Sequence, residues 1–293
     1  MEKEFLPPKR TGIWVLLVLL LGVIAGILYV LSAASQAAQQ TVFMANLLAA
    51  VVLIAVGIWL LLRMHTLFTT RYMLSRGGLE LRWGLRREVI PMPAVQWIRP
   101  VSDFQARLPL PFGALPGMIF GSRNVPGLGL VEYAAADPRN LLLVSASGRY
   151  YAISPSESAA FLDLYERLNE LGSLSAYEPR SESLRTLREK IWRDATARRL
   201  LTGGLMAAVV VLGLAFALAS TRTEITWTTL EKVPSNQVFL FAFFSLFIWL
   251  INAVIGLYFY LRGGVEKAMI YLFWAGSILV SLLLAAALLI LAL

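Results

Sequence analysis

Five long apolar runs divide this 293-residue sequence and limit what it can fold into. They cover residues 13–31, 43–62, 200–219, 238–261 and 268–291. Each run is close to or above the ~20 residues that a helix needs to cross a hydrocarbon layer of about 30 Å. Since 58% of the chain is hydrophobic and only 15% is charged, the composition excludes an ordinary water-soluble protein. The sequence therefore predicts an integral membrane protein with five spanning helices.

The apolar runs divide the chain into four parts. We expect a hairpin of two spanning helices in residues 1–62, a soluble domain in 63–172, a basic amphipathic linker helix in 173–199 and three spanning helices in 200–293. A cleaved signal peptide is the competing interpretation of the first run. Signal peptides have apolar cores of about 7–15 residues. Because the first run is longer and a second run follows it closely, we expect it to stay in the membrane.

The distribution of charge predicts which side of the membrane each part occupies. Of the 26 Lys and Arg residues, 19 lie between residues 63 and 199, together with 13 Asp and Glu, whereas residues 32–41 carry no charge. Cytoplasmic loops are enriched in Lys and Arg. We therefore expect a multi-pass protein of the cell inner membrane, with its N-terminus and central domain in the cytoplasm and its C-terminus outside. Because the basic residues lie at membrane boundaries, we interpret them as a topology signal and expect no nucleic acid partner.

Strand patterns dominate the central domain up to residue 153. Gly77 and Gly78 suit the tight turn of an opening hairpin. Pro91 and Pro93 separate two later strands, because a central strand does not tolerate proline. Seven strands are predicted, at residues 70–75, 79–83, 89–90, 94–101, 128–136, 139–146 and 149–153.

A single helix is predicted after these strands, over residues 155–171. Apolar residues recur there at helical spacing, namely Ala160, Phe161, Leu164, Leu168 and Leu171. Ser154 and Glu157 have the spacing of a capping box, and Pro155 suits the first helical position.

The central domain resembles the bacterial pleckstrin-homology (PH) domains. The matching residues are Tyr72 to Ser75 with Gly78 and Leu79, then Ile90 and Pro91 leading into residues 95–98, and Tyr150 to Pro155 before Phe161. The resemblance implies an α+β membrane protein whose soluble part is a bent seven-stranded barrel or sandwich, closed at one end by a C-terminal helix. Such motifs specify a fold rather than an activity. Residues 102–127 depart from the family pattern, because they are longer and more apolar than a compact barrel loop requires.

The residues that carry chemistry in enzymes and transporters are scarce. The chain has no cysteine and one histidine, His65, which has no carboxylate near it in sequence. Clustered metal ligands are absent from the sequence pattern. None of the five runs holds an ionisable residue away from its ends, although membrane-embedded charge usually marks a transport site. We therefore predict no catalytic, cofactor-binding or metal-binding residues.

Four residues within the runs are candidates for contacts between helices. Gly22 and Gly26 form a GxxxG pattern, which lets helices pack closely, either in the same bundle or with a second copy. Asn46 and Asn252 are the strongly polar residues of the runs. We expect them to form hydrogen bonds between helices, with a substrate site as the alternative.

Two segments are candidates for contact with a membrane or a partner. Residues 108–120 hold seven large apolar residues among three prolines and two glycines. The candidate contact residues there are Phe112, Met118, Ile119 and Phe120. This segment either packs over its own domain or dips into the membrane surface.

The second segment, residues 180–199, has basic and apolar residues at helical spacing. Its candidate contact residues are Arg185, Arg188, Lys190, Arg193, Arg198 and Arg199. A basic amphipathic helix beside a spanning helix is expected to meet anionic lipid headgroups, with a helical linker and topology signal as the plainer interpretation.

These patterns favour a non-enzymatic membrane protein. Its PH-like domain is expected to bind a protein segment or a lipid headgroup, as a scaffold or regulator. One alternative is a structural subunit of a larger membrane assembly. A small-molecule transporter or an intramembrane enzyme is the third interpretation. A protein partner or a second copy of the chain is compatible with each of them.

Overall fold

The computed structural model describes residues 2–37, 39–104, 108–146, 148–171, 180–182, 191–221, 224–228, 231–262 and 265–292. The chain forms two compact units. The first consists of Met1–Val23 and Val56–Leu184, and the second of Ile24–Ala55 and Arg185–Leu293.

Within the part of the chain that the structure describes, five helices are long and apolar. The helices are α1 (Arg10–Ser35), α2 (Gln40–Thr69), α3 (Ser158–Glu170), α4 (Ala195–Thr221), α5 (Phe239–Arg262) and α6 (Lys267–Ala292). All but α3 are long and apolar enough to cross a membrane by length and composition. The prediction of two such helices before the β domain and three after it is confirmed. The helices extend past the apolar runs, and α2 continues beyond Leu62 to Thr69, so the start expected for the domain at residue 63 lies within a helix.

The first unit contains two five-stranded sheets. The first sheet has the antiparallel order β1 (Glu2–Phe5), β2 (Arg71–Ser75), β3 (Gly78–Trp83), β4 (Arg86–Pro91) and β10 (Arg180–Glu182). The second has the order β5 (Val95–Pro100), β8 (Leu142–Ala146), β9 (Arg149–Ile153), β7 (Gly129–Ala135) and β6 (Ile119–Val125), in which β7 and β9 are parallel. In the second unit, β11 (Glu224–Thr228) and β12 (Glu231–Pro234) form a hairpin.

One hydrophobic core joins both sheets to α3. Tyr72, Leu74 and Leu79 from the first sheet, Ile153 from the second and Phe161 from α3 are all buried in it. Burying a side chain of this size contributes about 1.5–3 kcal/mol. The mixed α+β class is therefore as predicted, and α3 is a docked helix.

The number of strands differs from the prediction of seven. Among the described residues, eight strands lie between Arg71 and Ile153, because residues 119–125, predicted to be a loop, form β6. Gly127 takes a positive φ of 83° in the turn that returns the chain to β7. The prolines and glycines before β6 favoured a loop in the sequence prediction, so the pairing of β6 with β7 was not predicted. Strands β1 and β10 come from outside the predicted domain.

The predicted start of α3 is wrong. The helix begins at Ser158, and its N-cap residue Glu157 makes no side-chain capping bond. The Ser154 hydroxyl instead accepts hydrogen bonds from the amides of Ala136 at 2.7 Å and Asp137 at 3.2 Å. Because Ser154 satisfies the end of β7, it is not available to cap the helix.

The linker helix predicted over residues 173–199 is not helical at residues 180–182, while residues 173–179 and 183–190 lie outside the described residues. Arg180–Glu182 form β10, which pairs with β4. Arg185, Arg188 and Lys190 lie outside the described residues. Arg193 belongs to a helical stretch at residues 191–193, and Arg198 and Arg199 lie in the first turns of α4.

Candidate functional site

The end of α2 meets the apolar loop of residues 108–118 at a site that we call the junction. The Arg63 guanidinium donates a hydrogen bond of 2.8 Å to the carbonyl of Phe120, and it lies 5.1 Å from the centre of the Trp59 ring. A Cβ atom built on Gly113 would lie 3.3 Å from Nη2 of Arg63 and 3.4 Å from Cζ2 of Trp59. The loop is therefore packed directly against α2.

The start of α1 completes the junction through two glycines. A Cβ atom on Gly12 would lie 2.6 Å from the carbonyl oxygen of Gly117 and 2.8 Å from Cδ2 of Leu67. Gly117 has a φ of 78° and approaches the backbone of Gly12 in return. Any side chain at either position would collide with backbone atoms, so both residues must be glycine.

Polar contacts hold the last turn of α2 to the rest of the unit. The Lys9 ammonium donates to the carbonyl of Phe68 at 2.8 Å. The hydroxyl of Thr69 donates to the carbonyl of His65 at 2.8 Å and accepts from the amide of Gly84 at 2.9 Å. Burial lowers the pKa of Lys9 below its ordinary value. These bonds satisfy helix carbonyls that would otherwise lack partners, and they tie the helix end to the turn after β3.

The four contact residues predicted in the apolar segment do not lie together. Phe112 is 99% exposed, whereas Met118, Ile119 and Phe120 are buried. Successive side chains of β6 point to opposite faces, so Ile119 joins the core cluster outside the second sheet while Phe120 enters the main core. The prediction that these three side chains form a contact surface is therefore wrong, and Phe112 alone remains exposed.

A second polar cluster lies between β4 and β7. Nη2 of Arg86 lies 2.7 Å from Oε2 of Glu132 and 3.4 Å from Oε1 of Glu88, and both carboxylates are buried. Burial and the charge of Glu88 raise the pKa of Tyr151 to about 12. The cluster joins strands of both sheets, which explains why the sequence did not reveal it. Its buried charges are paired, as stability requires.

The fold and these sites were compared with known proteins. Residues 70–169 match the family model of the bacterial PH domain. This segment is a bacterial PH domain. Neither the curated proteins nor the solved structures give a match to the chain. Because PH domains occur as binding modules, the match indicates a binding role without naming a ligand.

Strand β1 lies outside the matched range and extends the first sheet of the PH domain. It pairs with β2 from Glu2 opposite Ser75 to Phe5 opposite Tyr72. The Phe5 ring packs edge-on against Phe161 of α3, with centroids 5.0 Å apart. One edge of the PH domain is thus occupied by the chain segment that precedes α1.

Of the four residues predicted to form contacts between helices, Gly26 does so among the described residues. Gly26 faces Leu53 of α2, whose Cδ1 would lie 3.3 Å from a Cβ atom there, but nothing lies within 4 Å of that position at Gly22. Within the described residues, the side chains of Asn46 and Asn252 form no hydrogen bonds. The bonds expected of these two residues are therefore not seen among the described residues, and they stay a prediction.

Other residues connect the helices of the second unit. The hydroxyls of Ser245 and Ser281 are hydrogen-bonded at 2.8 Å between α5 and α6. The Trp249 indole donates to the carbonyl of Leu201 in α4 at 3.0 Å. Serine and tryptophan in apolar runs gave no distinct signal, because both are common at lipid-facing and buried positions alike.

Asp194 joins three helices at one point. Its Oδ2 accepts hydrogen bonds from the Tyr271 hydroxyl at 2.6 Å and the Tyr260 hydroxyl at 2.7 Å. Its Oδ1 accepts from the amide of Ala197 and so caps α4. The bond from Tyr271 is the main cause that lowers the pKa of Asp194 to about 2. In the sequence, Asp194 is one acidic residue among basic ones, and nothing in its neighbourhood indicates contacts with Tyr260 and Tyr271.

Proposed function

We propose that this chain is a non-enzymatic inner-membrane protein whose cytoplasmic PH domain binds a protein segment or a lipid headgroup, as a scaffold or regulator. The PH-domain match supports the binding role. Five helices of sufficient length and apolarity support an integral membrane location. The single histidine and the absence of cysteine support a role outside catalysis.

The junction is the observation that carries this proposal. Arg63 and the Gly12–Gly117 contact attach the PH domain directly to the ends of α1 and α2. A domain held in this way is kept beside the membrane boundary, where a ligand at the bilayer or on a neighbouring membrane protein is within reach.

The pairing of β1 with β2 supports the proposed topology. Strand β1 precedes α1 and β2 follows α2, so both ends of this helix pair must reach the same sheet. If both helices cross the bilayer, the N-terminus and the PH domain share one side. The basic residues of the central segment favour the cytoplasm as that side.

A pair of reporter fusions tests the topology. A reporter that is active only in the cytoplasm, fused after Leu171, is expected to be active, and the same reporter fused after Leu293 is expected to be inactive. An active fusion at Leu293, or an inactive one at Leu171, would contradict the proposed arrangement.

Purification of the full chain in a mild detergent separates the binding-module proposal from its main alternative. A structural subunit of a larger assembly is expected to bring stoichiometric partners through size-exclusion chromatography. A regulator with a transient ligand is expected to elute without them. A fixed set of partners at unit stoichiometry would favour the assembly subunit.

A further inference from the structure

Phe112 is displayed at the tip of a turn that hydrogen bonds brace on both sides. The carbonyl of Pro111 accepts a hydrogen bond from the amide of Ala114 at 3.2 Å, which closes the turn around Phe112. On the side before the tip, the carbonyl of Pro109 accepts a bond of 2.9 Å from the Tyr133 hydroxyl. An aromatic ring that is 99% exposed is therefore presented by a braced turn. An exposed apolar group on a preorganised turn indicates a contact surface.

A further bond and a close contact brace the same turn. The Arg123 guanidinium of β6 donates to the carbonyl of Leu110. A Cβ atom on Gly121 would lie 3.3 Å from Cβ of Pro111. The second sheet of the PH domain thus fixes the loop from behind.

The turn that carries Phe112 lies beside the end of the apolar run of α2. Gly113, the neighbour of Phe112, lies against Trp59 and Arg63. These two residues stand where the apolar run of α2 gives way to charge, and tryptophan and arginine are typical of the boundary between hydrocarbon and headgroups. A helix of 30 residues is ~45 Å long, which exceeds the ~30 Å hydrocarbon layer. The segment after Arg63 therefore extends beyond the layer, and the tip lies at its edge.

We propose that Phe112 inserts into the headgroup region of the bilayer beside α2 and thereby fixes the membrane-facing side of the PH domain. This inference rests on the proposed insertion of α2 in a membrane. The occupant is the lipid surface, because the loop meets α2 at the end of its apolar run. An aromatic ring at this depth contributes affinity that salt does not screen.

The chain has no cysteine, so a single introduced cysteine can be labelled specifically. We would label the full-length Phe112→Cys variant with an environment-sensitive fluorophore. The protein would then be reconstituted in phosphatidylcholine and phosphatidylglycerol vesicles, with and without nitroxide-labelled lipid. Because Phe112 is fully exposed, this substitution is not expected to impair folding.

Two matched variants serve as controls. Leu130→Cys is exposed on β7. Leu130 pairs with Asn124 of β6, which is four residues, or ~13 Å, along the strand from Phe120. Val18→Cys is exposed within the apolar run of α1 and reports whether that helix is embedded in lipid.

The label at position 112 is expected to show blue-shifted emission and strong quenching by nitroxide lipid, as at position 18. The label at position 130 is expected to be quenched by aqueous iodide instead. If position 112 behaves like position 130 while position 18 is quenched by lipid, the tip does not enter the bilayer and contacts water or a protein. If position 18 also escapes the lipid quencher, the proposed membrane insertion itself is wrong.

Discussion

At the residue scale, two glycines of the same helix differ sharply in what surrounds them. Gly12 lies against the backbone of Gly117, whereas nothing lies within 4 Å of the position that a Cβ atom would occupy at Gly22. In the sequence, Gly22 belonged to a GxxxG pattern, whereas Gly12 belonged to no recognised pattern. The sequence could not rank them, because the partner of Gly12 is more than a hundred residues away along the chain.

The two positions are expected to respond to the same substitution with opposite signs. Gly12→Ala introduces a collision with a backbone oxygen, and overpacking of this kind costs about 1–3 kcal/mol. Gly22→Ala gains helix propensity and is expected to be neutral or stabilising by up to about 1 kcal/mol. Thermal unfolding of the full chain in detergent, followed by intrinsic fluorescence, measures both. Equal melting temperatures for the two variants would show that the Gly12–Gly117 contact does not constrain the junction.

At the element scale, the apolar helices and most strands could be predicted because their signals are local. Strand β10 has only three residues, and its pairing with β4 is invisible in its own pattern. The start of α3 was missed for a related reason, since the Ser154 hydroxyl bonds to amides beyond β7 rather than to the helix that follows it. Predictions from local sequence patterns failed where a residue pairs or bonds with a strand that is distant in the sequence.

The docking of α3 gives a prediction at this scale. Phe161 is fully buried and Leu171, at the end of the same apolar stripe, is 59% exposed. Phe161→Ala is expected to destabilise the PH domain within the full chain by about 3–5 kcal/mol, the range for a buried aromatic residue. Leu171→Ala is the matched control and is expected to change the stability little. Hydrogen exchange of the β2 and β9 amides measures the effect, and unchanged protection in Phe161→Ala would mean that α3 is not part of the core.

At the scale of the whole molecule, Asp194 connects the ends of three apolar helices through one carboxylate. Its pKa of about 2 is below the ordinary value of 3.8. A carboxyl group whose pKa is lower in the folded state stabilises that state above its unfolded pKa, and the contribution disappears as the pH falls through the folded pKa. The stabilisation is therefore complete above about pH 4 and fades toward pH 2.

Replacing this carboxylate tests the connection. Asparagine keeps one acceptor oxygen but no charge, so Asp194→Asn is expected to lower the stability near neutral pH by about 1 kcal/mol, the difference between hydrogen bonds to charged and to neutral groups. The difference in melting temperature between the parent and the variant is expected to shrink as the pH is lowered from about 5 to about 2, because the Asp194 carboxylate of the parent is protonated in this range. Asp163→Asn, at an exposed position on α3, is the control and is expected to match the parent throughout. A pH-independent difference at Asp194 would show that charge plays no part.

The pairing of β1 with β2 has a consequence for how the protein is made. During synthesis, Glu2–Phe5 leave the ribosome before α1, but their partner Arg71–Ser75 follows only after α2. The first sheet therefore cannot close until both intervening helices and Arg71–Ser75 have been synthesised, and closing so long a loop is slow compared with local pairing. Until then Phe5 has no ring of α3 to pack against, because residues 158–170 are translated later still. Until β1 pairs with it, β2 presents an unpaired strand edge, and such an edge can pair with another chain.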